Sequence, residues 1–326
     1  MKDFLLSYDT VCLRPKYSYL RSRSKADTSV EFLGRTYKLP IIPANMQDVI
    51  SYDNAKWLSE NDYFYIFHRF GEYNTEYMPI HSFVAKANEE NWKLISISTG
   101  INEKDQNILN DIRNKNYRID YITIDVAHAH HESVDAVIPW VREKFPTSKL
   151  IVGNVATAEG VEFLAGLNID AIKVGIGGGS ICTTRYQTGF HLPTLHSVYE
   201  ANAIVTFSLN PKPIIADGGA KYYGDIAKAL TFGATMVMSG GWFASCIDSP
   251  AKIVGGKKVY RGSTSYEVKG ERRHIEGRTL ELEEGLTYLQ RMNEIQQALQ
   301  SSISYAGGED LTAFEDVDWE RILPYH

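Results

Sequence analysis

Eight times along the chain, a short apolar and often β-branched run ends on Gly, Asp, Asn or another polar residue and is followed by a helix-like segment. The runs are Leu39–Ala44, Tyr63–His68, Leu94–Ser98, Tyr121–Val126, Leu150–Val155, Ala171–Gly177, Pro213–Asp217 and Thr235–Ser239. Their near-continuous apolarity, without alternation, is the signature of parallel strands buried on both faces. Amphipathic helices are expected over Tyr52–Asn61, Ile80–Asn91, Lys104–Asn116, Glu132–Phe145, Ala158–Leu167, Pro193–Ala201 and Gly224–Phe232, with capping residues such as Ser51 and Thr157 at their starts. Eight β-then-α units predict an α/β chain folded as a (β/α)8 (TIM) barrel, one domain over residues 1–326. An open doubly wound sheet is the alternative, because periodicity does not show closure.

Two connections are much longer than the others: residues 178–192 after the sixth strand and 242–285 after the eighth. Long loops in a compact domain tend to be functional, and in this barrel the loops after strand C-termini build the active site. The chemistry is therefore expected on a long loop at 178–192 and a mobile flap at 242–285.

Composition narrows the function classes. The chain has 326 residues with a formal charge of −6, which argues against coating nucleic acid or an anionic membrane as its main role. Cys12, Cys182 and Cys246 lie far apart with no CxxC, so neither a disulfide framework nor a thiolate zinc site is indicated. The N-terminus has no apolar signal region, and nowhere do about 18 apolar residues run together. The expectation is a cytoplasmic protein, neither secreted nor membrane-spanning.

The loop after strand six reads KVGIGGGSICTTRYQTGF. Its glycines let the backbone approach a ligand, and Cys182, followed by Thr183, Thr184 and Arg185, sits where a polar, cationic setting favours thiolate. A buried small hydrophobe is the other reading of that cysteine; Cys12 and Cys246 are read as structural. Strands seven and eight end in Asp217-Gly218-Gly219 and Ser239-Gly240-Gly241, positions that bind phosphate in this architecture. Asp217 could accept from ribose hydroxyls or simply form a turn. From Lys252 to Arg278 there are eight Lys/Arg and three acids, a stretch of +5 beside −11 elsewhere. A basic flap over a glycine-lined site fits a phosphorylated ligand, with Glu276 as an acid/base candidate if the flap closes over Cys182. The three histidines of DVAHAHHES lack a matched metal-ligand pattern, so Asp125 and its neighbours are expected to line the pocket.

KVGIGGGSICTTR, IIADGGAKYYGDIAKAL, FGATMVMSGGWFA and QSSISYAGGEDL resemble the IMP dehydrogenase/GMP reductase family, and the likeness extends from DTVCLRPKYS to the C-terminal region. The resemblance implies a barrel, usually a homotetramer, that binds a purine 5′-monophosphate with a nicotinamide dinucleotide beside its base. The 25 residues between His68 and Leu94 leave no room for the regulatory insert usual in the dehydrogenases, and the flap reads ERRHIEGRTLEL without their Arg-Tyr pair. Both features favour the reductase branch: NADPH-dependent reductive deamination of GMP to IMP with release of ammonia through a Cys182 thioimidate, a step of purine salvage.

By the same resemblance Cys182, Thr184 and Glu276 are catalytic. Asp217, Gly218, Gly219, Gly240, Gly241, Gly262, Ser263, Arg273 and Gly277 hold the nucleotide. Ser22, Arg23, Arg69, Asp125, Ala127, Ser301, Ser302 and Tyr305 contact NADPH, some from a neighbouring subunit of a homo-oligomer, and carbonyls of Gly177, Gly179 and Cys182 hold a potassium ion. The chain departs from the family pattern at Gly178, where proline is usual, at HLPTLHSV after TGF, and at Ala129, where glycine is usual. Three other readings stand beside this one: an IMP dehydrogenase lacking the insert, a catalytically silent purine-nucleotide-binding barrel, and a flavin-dependent barrel oxidoreductase.

Overall fold

A computed structural model describes residues 5–72, 77–263, 265 and 276–323. Arg273 and most of the flap's centre, including Lys269, Glu271 and Arg272, lie outside the described residues.

Ahead of the barrel come β1 (Val11–Leu13) and a hairpin of β2 (Val30–Phe32) and β3 (Arg35–Tyr37). Seven parallel strands then curl into one sheet: β4 (Ile41–Pro43), β5 (Ser96–Thr99), β6 (Tyr121–Asp125), β7 (Lys149–Val155), β8 (Ala171–Val174), β9 (Ile214–Asp217) and β10 (Met236–Ser239), in the order β4-β10-β9-β8-β7-β6-β5. Helices alternate with them: α1 (Tyr52–Glu60), α2 (Ile80–Glu89), α3 (Glu103–Asn114), α4 (Glu132–Lys144), α5 (Ala158–Ala165), the short α6 (Thr184–Gln187), α7 (Thr194–Thr206), α8 (Gly224–Thr231), the short α9 (Gly241–Ala244) and α10 (Tyr288–Ala306). This is the TIM-barrel-like α/β fold expected from the eight units, and the strand interiors from β4 to β10 are buried except at Asn154 of β7, which is half-buried.

The eighth position differs from expectation. Tyr63–His68 occupies the gap between β4 and β5 but makes one parallel bridge, Phe67 to Ile97, with Phe67 N–H donating to Ser96 O at 3.0 Å and Ser98 N–H donating to Phe67 O at 2.8 Å. No ladder joins it to β4 among the described residues. The reason lies in Pro43. Val237 N–H donates to Pro40 O and Ala44 N–H donates to Ser239 O, so even-numbered residues of β4 face β10. The odd ones, Ile41 and Pro43, face the gap, and Pro43 has no N–H to give. Closure is made instead by packing of the fully buried Phe64, Tyr65 and Phe67.

The β2–β3 hairpin plugs the end of the barrel where strands begin: Phe32 and Tyr37 pack edge-to-face on Phe64, and Tyr37 OH donates to Tyr121 OH at 3.1 Å. Ser51, Asn102, Thr157 and Thr287 cap α1, α3, α5 and α10 through their side chains. After β10, the flap opens as an antiparallel sheet of β11 (Lys252–Val254), β12 (Lys257–Arg261) and β13 (Thr279–Leu282). β14 (Trp319–Arg321) returns to pair with β1. Among the described residues no helix is long and apolar enough to cross a membrane.

Candidate active site

The sixth strand stops at Val174 because Gly175 adopts φ +143°, and a Cβ there would meet Asp217 O at 2.1 Å. Only glycine lets the cysteine loop pass this close to the end of β9. The loop then carries Cys182, Thr183 and Thr184 over the barrel mouth and winds into α6.

The returning limb of the flap pairs with this loop. Cys182 and Gly277 form an antiparallel bridge, Thr183 N–H donates to Glu276 O at 2.7 Å, and Arg278 N–H donates to Ile181 O at 2.9 Å. The Arg278 guanidinium adds two bonds to Ser180 O, at 3.0 and 2.8 Å. Close approach requires glycine on both flap limbs: a Cβ on Gly262 would meet Gly277 Cα at 2.7 Å, and one on Gly277 would meet Ser265 N at 2.8 Å. Ser263 sits in the turn just beyond Gly262.

This crossing aligns a chain of three side chains. Cys182 Sγ donates to Thr184 Oγ1 at 3.2 Å, and Thr184 Oγ1 donates to Glu276 Oε2 at 2.5 Å. The threonine hydroxyl thus accepts from the thiol and donates to the carboxylate, a route by which a proton can leave sulfur and later return to a leaving group.

Beside it, Gly218 and Gly219 follow Asp217 with φ of +85° and +86°. Gly240 precedes α9, and the hydroxyl of Tyr260 on β12 lies where a Gly240 Cβ would stand, so the flap's stem packs on the end of β10. Asp217 Oδ2 accepts from Lys173 Nζ at 2.6 Å and from Asn154 Nδ2 at 2.9 Å. Asp125 Oδ1 pairs with the same Nζ at 2.9 Å, and its Oδ2 accepts from Asn45 Nδ2 at 2.9 Å. Burial opposes charge on Lys173, but attraction by Asp125 and Asp217 outweighs it and raises the lysine pKa. Burial likewise pushes Asp125 up, and Lys173 reverses this and holds it below the ordinary carboxylate range.

The stem is fixed by two buried cations. Arg261 pairs with Asp48 at 2.5 Å and donates to Tyr77 OH at 2.8 Å. Lys258 Nζ donates to the carbonyls of Ile247, Ser249 and Ala251 at 2.9 to 3.3 Å.

Asp125 ends β6 and the exposed Ala127 follows it at the mouth, while Arg69 follows the bridged Tyr63–His68 segment. Ser22, Arg23, Ser301, Ser302 and Tyr305 form a patch on the outer helix α10 and the N-terminal segment, tied by Arg23 Nη1 donating to Ser301 Oγ at 3.3 Å and Lys16 N–H donating to Tyr305 O at 2.8 Å. Gly179 O accepts from Cys182 N–H at 3.1 Å.

Sequence patterns and comparisons with known proteins then converge. The family profile described as IMP dehydrogenase / GMP reductase domain matches residues 5–321. The chain belongs to this family. Its curated relatives include a protein named GMP reductase from Staphylococcus epidermidis, 42% identical over 324 residues, covering 97% of this chain and 95% of the relative. GMP reductases of Shouchella clausii, 42% identical over 328 residues (98% of this chain, 96% of the relative), and Staphylococcus carnosus, 41% over 324 residues (97% and 95%), are similarly related.

Lys173, Asn154 and Asn45 were not among the residues expected from sequence. Lys173 is the sole charge in the apolar strand AIKV, and a charge on a strand buried on both faces must find a counter-charge. That signal was available.

Proposed function

We propose that this protein is a GMP reductase: GMP + NADPH + H⁺ gives IMP + NADP⁺ + NH3. The observation that carries the reading is the Cys182–Thr184–Glu276 hydrogen-bond chain, assembled by the flap over the cysteine loop of a family member. In the proposed reaction, Thr184 takes the thiol proton as it passes its own to Glu276, and the Cys182 thiolate adds to C2 of the guanine ring. Glu276 returns the proton through Thr184 to the 2-amino group, which departs as ammonia and leaves a thioimidate. The bound nicotinamide supplies hydride to C2, and the thiolate is expelled as IMP forms.

Asp217, Gly218, Gly219, Gly240, Gly241, Gly262, Ser263, Arg273 and Gly277 are the proposed nucleotide contacts. The Asp217 Oδ1 oxygen fits this role, having no protein partner among the described residues while Oδ2 is occupied. Asp125, Ala127 and Arg69 would meet NADPH at the mouth. The outer patch of Ser22, Arg23, Ser301, Ser302 and Tyr305 would meet a cofactor in a cytoplasmic homotetramer. The carbonyls of Gly177, Gly179 and Cys182 are the proposed seat of a potassium ion; Gly179 O keeps a second lone pair beside the one given to Cys182 N–H.

The test is to mix the protein with GMP and NADPH and follow both NADPH absorbance and ammonia. Consumption of NADPH with equimolar ammonia, abolished by Cys182→Ala, is expected. Unchanged absorbance with and without potassium rejects the assignment, and IMP-dependent formation of NADH would move it to the dehydrogenase branch.

A further inference from the structure

Resting on the proposed reading, in which Asp217 meets the nucleotide and Asp125 the cofactor, we propose that Lys173 is a positioning residue that couples the two ligand sites by holding both carboxylates at once.

The coupling is built into the sheet. Asp125, Gly153 and Lys173 lie in one register row across β6, β7 and β8. The middle position has no side chain, and a Cβ on Gly153 would meet Lys173 Cβ at 2.5 Å. The lysine therefore has room to lean across β7 and reach Asp125, while the same Nζ bonds Asp217 on the strand at its other side. Its side chain is 4% exposed, whereas each aspartate side chain is 22% exposed. The cation is thus beneath and the two anions face the mouth.

Three of the four carboxylate oxygens are committed to protein. Lys173 takes one oxygen of each aspartate, Asn154 shares Asp217 Oδ2, and Asn45 takes Asp125 Oδ2. Asn154 Nδ2 also donates to Gly175 O at 2.6 Å, at the start of the cysteine loop. A carboxylate held this way cannot change its charge or rotamer without redistributing the lysine between its two partners. Neutralising Asp125 makes Asp217 the lysine's sole counter-charge among the described residues, draws it inward, and leaves it a weaker acceptor for a ribose hydroxyl.

The experiment is a double-mutant cycle read by the affinity for IMP alone, with no cofactor present, measured by calorimetry. Asp125→Asn should weaken IMP binding threefold or more although the substituted residue belongs to the cofactor side. In the Lys173→Met background the same change should alter IMP affinity by less than 1.5-fold, and Lys173→Arg, which keeps the bridging charge, should restore the dependence. An IMP affinity indifferent to Asp125→Asn overturns the proposal even if Lys173→Met fails to fold, and so does an equal effect in both backgrounds. No IMP binding by the unmodified protein would instead reject the GMP reductase reading, and this inference with it.

Discussion

At the residue scale, the proposed proton relay turns on one hydroxyl. Thr184 Oγ1 stands between sulfur and carboxylate, at 3.2 Å from Cys182 Sγ and 2.5 Å from Glu276 Oε2. Thr184→Val keeps the shape and removes both bonds. General acid–base assistance contributes typically 10²–10⁴-fold, so kcat for NADPH oxidation should fall by about 10²-fold or more, with KM for GMP within about threefold. A kcat within twofold of the unmodified enzyme would remove Thr184 from the relay. Cys182, Asp217 and Glu276 stood out in the sequence as candidates because each lies in or beside a glycine-containing loop, and Thr184 joined them through the family resemblance. Lys173, Asn154 and Asn45 were not, because each lies inside or just after an apolar run, where periodicity is read for its hydrophobes and a single polar residue is overlooked. Their partners come from other strands, and no sequence spacing records which strands become neighbours.

At the scale of elements, the decisive contact joins two loops through Cys182 and Gly277, 95 positions apart in the sequence. Length marked both as functional, with glycine content adding to the first and basic charge to the second, but none of these signals showed that they pair strand to strand through Cys182 and Gly277. Gly277→Ala tests that crossing. The added methyl would meet Ser265 N at 2.8 Å and Gly262 Cα at 3.0 Å, so the returning limb must shift, and Glu276 is the next residue. Displacement of about 1 Å can cost 10²-fold in rate; kcat should drop by about 10- to 100-fold while the thermal midpoint moves by only a few degrees. Equal losses of rate and stability would mean that the crossing is structural alone. Most helices were legible through their caps and periodicity. α7 runs to Thr206, past the expected end at Ala201, because no glycine or proline interrupts it before Pro211. The opposite error fell on Tyr63–His68, where an apolar run implied a full strand and Pro43 on its neighbour removed the donor that a ladder requires.

At the scale of the whole molecule, the closing packing around Tyr63–His68 sets how stability responds to acid. His68 is 3% exposed, stacked on Phe67 and Phe70 with Tyr77 edge-on, and its Nδ1 accepts from Phe70 N–H at 3.3 Å. Burial pushes its pKa down to about 3 from an ordinary value of 6.5. Between those values the unfolded chain binds a proton that the folded chain does not. Stability is therefore complete above about pH 6.5 and is lost as pH falls toward 3, at about 1.4 kcal/mol per unit once below the ordinary histidine pKa. Burial also lowers His128 and His191, which add in the same direction. Asp125 and Asp170, held low by Lys173 and by Leu150 N–H with Arg142 against the opposing effect of burial, lose their contribution only below the ordinary carboxylate range near pH 4. The interval from pH 7 to 5 thus belongs mainly to His68, with about 2 kcal/mol at stake. His68→Asn keeps an acceptor for Phe70 N–H and removes the titration. Urea unfolding free energies should fall by about 2 kcal/mol in the unmodified protein between pH 7 and 5 and by well under 1 kcal/mol in the variant. Parallel pH slopes for the two proteins would show that His68 is not the group that acid must charge to open the barrel.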